Sequence, residues 1–145
     1  MSTSNDTRVK HIFTTAIMAL FCATAFGVDD WKTYSKKDQI EIRYRSADCH
    51  DEVNGIHQQK ILLQFINLSN EIKEVTFSKE LIYSGSASVA NDVKSYSLLL
   101  QPGETKEGLC SDKNKVLFIF SKQLNLQSRE LEKFELKNIS TKTIQ

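Results

Sequence analysis

The sequence predicts an all-β protein, a sandwich of about seven short antiparallel strands with one disulfide. Several segments alternate apolar and polar residues with a period of two, which is typical of strands with one buried face. Two nearly continuous apolar runs, at residues 60–68 and 116–120, are typical of strands covered on both faces. No segment keeps a helical period. Short strands separated by turns favour two packed sheets.

The clearest alternation lies at residues 39–45. It places three apolar side chains on the buried face, namely Ile40, Ile42 and Tyr44. The charged residues fall on the other face, where solvent or an anionic partner would meet them, namely Glu41, Arg43 and Arg45. The simpler interpretation of this basic stripe is a solvated strand face that discourages edge-to-edge aggregation.

Three further segments alternate in the same way, at residues 74–79, 94–100 and 133–139. Their expected inward residues are Val75, Phe77, Tyr96, Leu98, Leu100, Phe134 and Leu136. An opening strand or arm is expected within residues 28–38, with Trp31 and Tyr34 closing one end of the sandwich. Pro102 and Gly103 predict a tight turn over residues 101–104. A short helical turn is expected within residues 123–131.

The first 27 residues resemble a cleavable secretion signal in their order of segments. Arg8 and Lys10 precede an apolar run at residues 12–25, and small residues follow it. We expect cleavage after Ala25 or Gly27 and a single domain over residues 28–145. Two alternatives remain, a retained membrane anchor and a lipoprotein modified on Cys22. The run is shorter than the roughly 20 residues of a typical membrane span, and the bulky residue before Cys22 suits lipidation poorly.

Export decides how the cysteines are interpreted. Cys22 would leave with the leader, and Cys49 and Cys110 would meet an oxidising compartment, where two thiols most simply form one bridge. Two buried free thiols or a bond to another chain are the alternatives. Without its leader the chain has no formal net charge, and a neutral chain does not predict nucleic-acid binding. No other segment is apolar enough to cross a membrane.

The strand ending at Leu100, the Pro-Gly-Glu turn at residues 102–104 and the buried run at residues 116–120 resemble small immunoglobulin-like sandwich proteins exported by bacteria. The resemblance also rests on Trp31, Cys49, Asn67, Cys110 and residues 134–136. It implies an immunoglobulin-like fold and an exported location, and no activity or catalytic residue. Trp31 precedes both cysteines, whereas antibody-type domains have a core tryptophan between them.

The densest cluster of chemically active side chains lies at residues 48–57. Its carboxylates and imidazoles are of the types that bind a divalent metal, and the candidate ligands are Asp48, His50, Asp51 and His57. The simpler interpretation is a solvated polar loop. No nucleophile elbow, glycine-rich phosphate loop or paired metal-binding cysteines are present. We therefore expect no cofactor.

These observations favour a periplasmic or secreted module without catalysis, which binds a protein or an envelope component. Main-chain pairing at a sheet edge leaves little trace in sequence, so such a function fits the lack of motifs. The expected contact surfaces are the polar loops at residues 46–57 and 83–92. The candidate binding residues are Arg43, Arg45, His50 and Tyr83. The alternatives are a small envelope metal-binding protein or enzyme that uses residues 48–57, and a structural subunit of a larger assembly.

Overall fold

A computed structural model describes residues 30–85 and 90–145, and for residues 90–93 it describes the backbone. The predicted leader, its cleavage sites and Cys22 lie outside the described residues. The described chain folds into eight strands. They are β1 (Lys32–Lys37), β2 (Ile40–Asp51), β3 (Ile56–Asn67), β4 (Ile72–Tyr83), β5 (Ala90–Leu100), β6 (Thr105–Glu107), β7 (Phe118–Gln123) and β8 (Leu131–Ile144).

The strands form two antiparallel sheets. In the first sheet β1, β2 and β3 pair in that order, and β6 and β7 pair with different stretches of β3. In the second sheet β4 lies between β5 and β8. The all-β prediction is confirmed, with eight strands rather than about seven. An antibody-type domain places its second and third strands in different sheets, whereas β2 and β3 pair here, so the immunoglobulin-like part of the prediction is not confirmed.

The core lies between the inner faces of the two sheets. Phe65 of β3 stacks on Phe77 of β4 with ring centres 5.0 Å apart, and both rings are fully buried. Around them are the inward residues that alternation predicted, including Ile40, Ile42, Val75, Tyr96, Leu100 and Leu136. Period-two alternation therefore identified the faces correctly, because one inward residue in every two is what a packed sheet requires.

Lys79 is a cation inside this core and is only 3% exposed. Its ammonium group crosses from β4 to the first sheet, where it donates hydrogen bonds to the carbonyl of Phe118 at 3.0 Å and to that of Lys115. It also lies 4.6 Å from the centre of the Tyr96 ring. These contacts replace part of the hydration that burial removes from the charge.

Asn67 joins the turns at the opposite end of the sandwich from the β2–β3 turn. Its buried amide nitrogen donates to the carbonyls of Glu71, Leu100 and Gln101, and its oxygen accepts from the backbone and hydroxyl of Ser69. The predicted turn at residues 101–104 is present, and Gly103 has a φ of 69° there. One side chain thus satisfies the backbone groups of two separate turns.

Residues 108–117 form a cover segment between β6 and β7, and Cys110 near its start lies over the outer face of the first sheet. Its two ends hydrogen-bond to Leu63, since Gly108 donates to the Leu63 carbonyl at 2.9 Å and the Leu63 amide donates to Leu117 at 2.8 Å. A side chain at Gly108 would place its Cβ 2.1 Å from the Leu117 carbonyl oxygen, so the close approach requires glycine. The predicted disulfide joins this segment to β2 through Cys49 and Cys110.

Three details of the prediction are wrong. Glu41, expected in solvent, is buried because Arg43 and Thr33 provide its hydrogen bonds. Residues 123–131 form no helical turn, since Leu131 already pairs with β4 and the preceding residues connect β7 to β8. The strand predicted at 116–120 begins only at Phe118, because the Leu117 carbonyl closes the cover segment.

The β1–β8 side of the sandwich is closed by aromatic side chains. Tyr34 stacks on Phe134 at 5.9 Å and meets Tyr44 edge-on, and its hydroxyl accepts a hydrogen bond from the Leu136 amide. The Arg45 guanidinium lies over the Trp31 ring, 4.8 Å from its centre. Tyr34 therefore fills a gap between the sheets, as expected.

Candidate functional site

The candidate site is the hairpin end, which we define as the β2–β3 turn at residues 51–56 together with Leu124 and Leu126. The predicted polar loop at residues 46–57 is wrong, because β2 runs to Asp51 and β3 begins at Ile56. Only residues 52–55 form a turn. Asp51 accepts hydrogen bonds from the backbone and side-chain nitrogens of Asn54, and Gly55 has a φ of 63°.

The two faces of this hairpin are buried at different positions along its length. On the inner face Ile40 and Ile42 are buried, whereas Ser46, Asp48 and His50 are exposed. The outer face is buried at Cys49 and Lys60, where the cover segment lies. The inner face of the hairpin end is therefore open to solvent.

Apolar side chains are exposed at the hairpin end. Val53 is 93% exposed at the tip of the turn, and Leu126 is 68% exposed. Ile56 and Leu124 are also exposed, and the Leu124 amide donates a hydrogen bond to the His57 carbonyl, which places the β7–β8 connection beside the start of β3. Exposed apolar side chains close together are more informative than single ones, which are common on protein surfaces.

A cleft of about 620 Å³ lies next to this apolar tip. Its walls are the turn, the disulfide and the cover segment, and they include Ile56, Lys60, Cys110 and Asp112. Volumes of this order are usual for ligand pockets. The cleft therefore combines an apolar rim with a covalently fixed wall.

Lys60 lies at the floor of this cleft and is 4% exposed. Its ammonium group donates to the Cys110 carbonyl at 2.8 Å and lies 4.1 Å from the centre of the Phe118 ring. Removal from water lowers the pKa of Lys60, and the Asp112 carboxylate opposes this shift. Lys60 thereby links β3, β7 and the cover segment.

The four candidate metal ligands are not all brought together. His50 and His57 are opposite each other on β2 and β3, with their Nδ1 atoms 2.9 Å apart. Asp48 lies one position along the same face and accepts a hydrogen bond from Gln59. The hydrogen bonds from Asn54 lower the pKa of Asp51, which caps the turn. Within residues 30–85 and 90–145 no three acidic, histidine or cysteine side chains converge as metal ligands.

The other candidate binding residues have partners within the fold. Arg43 donates to Glu41 at 2.7 Å, and this hydrogen bond is the main reason that the pKa of Glu41 is lowered. Arg45 packs over Trp31. The half-buried Tyr83 donates its hydroxyl to the Phe120 carbonyl at 2.7 Å, and burial raises its pKa. The loop predicted at residues 83–92 lies partly outside the described residues, and β5 begins at Ala90.

Val53, Leu126 and Lys60 were not predicted from the sequence. Asn54-Gly55 is a strong hairpin signal and, together with the histidines on either side, marks this turn. Lys60 and Leu126 carry no comparable signal, because the burial of one and the exposure of the other depend on distant segments.

Comparison of the chain with known protein families, curated proteins and solved structures finds no match. Among the described residues, no helix is long and apolar enough to cross a membrane.

Proposed function

We propose that this protein is an exported, non-catalytic β-sandwich module that binds a protein or an envelope component through its hairpin end. The observation that carries the proposal is the exposure of Val53 at the tip of the turn that walls the cleft, with Ile56 also exposed in the wall itself. Burying such side chains against a partner is favourable by about 25 cal/mol per Å² of apolar area. In isolation they contribute nothing to the core of the sandwich.

The support beneath these side chains favours recognition over catalysis. β2 and β3 pair continuously up to the turn, and the disulfide fixes the neighbouring wall. A rigid surface loses little conformational entropy on binding, which improves affinity. The ionisable groups nearest the tip are engaged in the turn or lie in solvent, so binding explains the arrangement more simply than acid–base chemistry does.

The exported location is part of this proposal. The predicted leader provides the route, and the Cys49–Cys110 disulfide is of the kind that persists in oxidising compartments. A periplasmic or secreted module that resembles immunoglobulin-like sandwich proteins fits both the predicted leader and the disulfide.

Site-specific photo-crosslinking in the exporting host tests the proposal. A photoreactive residue at Val53 should give one discrete adduct, whose partner is then identified and purified. Val53→Asp should weaken binding of that partner by at least about thirtyfold, which corresponds to about 2 kcal/mol, the usual threshold for a hot-spot residue. Since Val53 is 93% exposed, the melting temperature of the variant should stay within about 1 °C of the wild type.

Leu68 provides the matched control, because it is an exposed leucine at the opposite end of the sandwich. A photoreactive residue there should give no such adduct, and Leu68→Asp should leave the affinity unchanged. Equal effects at both positions, or an affinity insensitive to Val53→Asp, would show that the hairpin end is not the binding surface.

A further inference from the structure

His50 and His57 form a histidine pair across the β2–β3 hairpin. The register places them directly opposite each other, one position before the last pair of the ladder. Their ring centres are 5.2 Å apart, and their Nδ1 atoms face each other at 2.9 Å. Neither residue belongs to the buried core, since His50 is exposed and His57 is half-buried. Core packing therefore does not account for two imidazoles at this position.

The separation of the two nitrogens is short enough for one metal ion to bind both. Two metal–nitrogen bonds of about 2.0–2.1 Å that meet at a right angle place their nitrogens about 2.9 Å apart. Adjacent positions of square-planar and of octahedral ions meet at a right angle, so the 2.9 Å between the Nδ1 atoms fits both geometries. Imidazole suits copper and nickel, and copper(II) binds nitrogen ligands most tightly among the divalent first-row metals and prefers a square-planar arrangement of nitrogen and oxygen ligands.

The surroundings leave room for such an ion and favour its charge. The inner face of the hairpin end is open, so water is able to complete the coordination. Asp48 and Asp51 lie close by, and their hydrogen bonds come from the neutral side chains of Gln59 and Asn54. Their negative charge raises the local concentration of cations.

We propose that His50 and His57 bind a square-planar divalent metal ion, with copper(II) the tightest, through their two Nδ1 atoms. When both rings are neutral, one Nδ1 atom donates the hydrogen bond to the other. Metal binding at both Nδ1 atoms requires the donor ring to take the tautomer with its proton on Nε2, so both rings stay neutral and no net proton is released. Water occupies the remaining equatorial positions, because the chain supplies two ligands here and no group of three converges in its described part. The site is independent of the proposed protein contact.

The test is a copper(II) titration of the untagged, oxidised protein, followed by electron paramagnetic resonance. The expected result is one bound ion with two coordinated imidazole nitrogens. His50→Asn should lower the affinity by at least about a hundredfold, because the second imidazole of a chelate binds at high effective concentration. His57→Asn should have the same effect, and the wild-type affinity should fall as the pH is lowered, since protons compete for the ligands.

One matched variant defines the site. Asp48→Asn removes the nearest carboxylate on the same face, and His50 and His57 are the two histidines that remain once the predicted leader with His11 is removed. This variant should keep the copper affinity within about threefold of the wild type. The melting temperature without metal shows that each variant is folded, and His50→Asn alters an exposed side chain.

The proposal is overturned if His50→Asn binds copper(II) as tightly as the wild type, or if the spectrum contains fewer than two imidazole nitrogens. Loss of copper(II) binding in Asp48→Asn, with binding retained in both histidine variants, would show that the metal binds at a carboxylate site and not at the two histidines.

Discussion

Removing the disulfide should destabilise this protein mainly by releasing its unfolded chain. The bridge joins residues separated by 61 positions, and closing a loop of that length corresponds to about 4.3 kcal/mol of chain entropy. Domains of this size have a net stability of about 5–15 kcal/mol, so the bridge provides a large share of it. Replacing both Cys49 and Cys110 with alanine avoids leaving a hydroxyl group buried at Cys49.

The folded state should survive this double substitution, because other bonds hold the cover segment. Gly108 and Leu117 both hydrogen-bond to Leu63, and Lys60 donates to the carbonyl at position 110, which the substitution leaves in place. We therefore expect native-like strand content together with a lower unfolding free energy.

Urea unfolding of the wild type and the double variant measures the effect. The midpoint should fall by roughly 2 M, given an m-value of about 2 kcal/mol/M. Chemical reduction of the wild type should lower it by a similar amount. A loss below about 1 kcal/mol with an unchanged m-value would refute the entropic argument. Selective loss of hydrogen-exchange protection at Leu63 would instead show that the bridge acts by holding the cover segment in place.

Three further substitutions, the first with a matched control, test the core, the turns and the charges, each by urea unfolding. Phe65→Ala should lower the free energy of unfolding by about 3–5 kcal/mol because the ring is fully buried. Leu99 is half-exposed, so Leu99→Ala should lower it by less than about 1 kcal/mol. Equal losses in the two variants would contradict the assigned core. Asn67→Ala should cost about 2–4 kcal/mol because three carbonyls lose their donor, and a near-neutral change would show that water replaces the amide. Hydrogen bonds from Lys133 first and Lys137 second lower the pKa of Glu135 to about 2. The ionised carboxylate therefore stabilises the fold above about pH 4.5, and this contribution is lost as the pH falls towards 2. Glu135→Gln should therefore lose less stability than the wild type between pH 7 and pH 3, and an unchanged pH dependence would mean that these ion pairs contribute nothing.

Much of the sandwich was predictable because alternation records which face of a strand is buried. It identified Val75 and Phe77 correctly, and the disulfide was predicted from two cysteines and an expected leader. Alternation does not show where a strand ends. β2 continues as far as Asp51 although residues 46–51 are largely polar, because main-chain pairing with β3 requires no apolar side chain.

The candidate site was less predictable, because its features depend on segments far apart in the chain. Lys60 resembles an ordinary strand-edge lysine in sequence, and the cover segment some fifty positions later buries it. The two histidines were recognised as potential ligands, but only the hairpin register places them opposite each other. Asn54-Gly55 indicates a hairpin, but a two-residue turn there would pair Val53 with Ile56 and place His57 opposite Glu52. The four-residue turn at residues 52–55 pairs Asp51 with Ile56 instead, so the sequence alone does not give this register.

The buried ammonium group of Lys79 restricts how the two sheets can be aligned. Most contacts between the sheets are apolar, and apolar surfaces tolerate sliding with little loss. A shift by one residue would separate this charge from the carbonyls of Lys115 and Phe118 and leave it among aromatic rings. An unsatisfied charge in an apolar interior is costly enough to exclude such an arrangement. Lys79 therefore favours one alignment of the two sheets over alignments shifted by one residue.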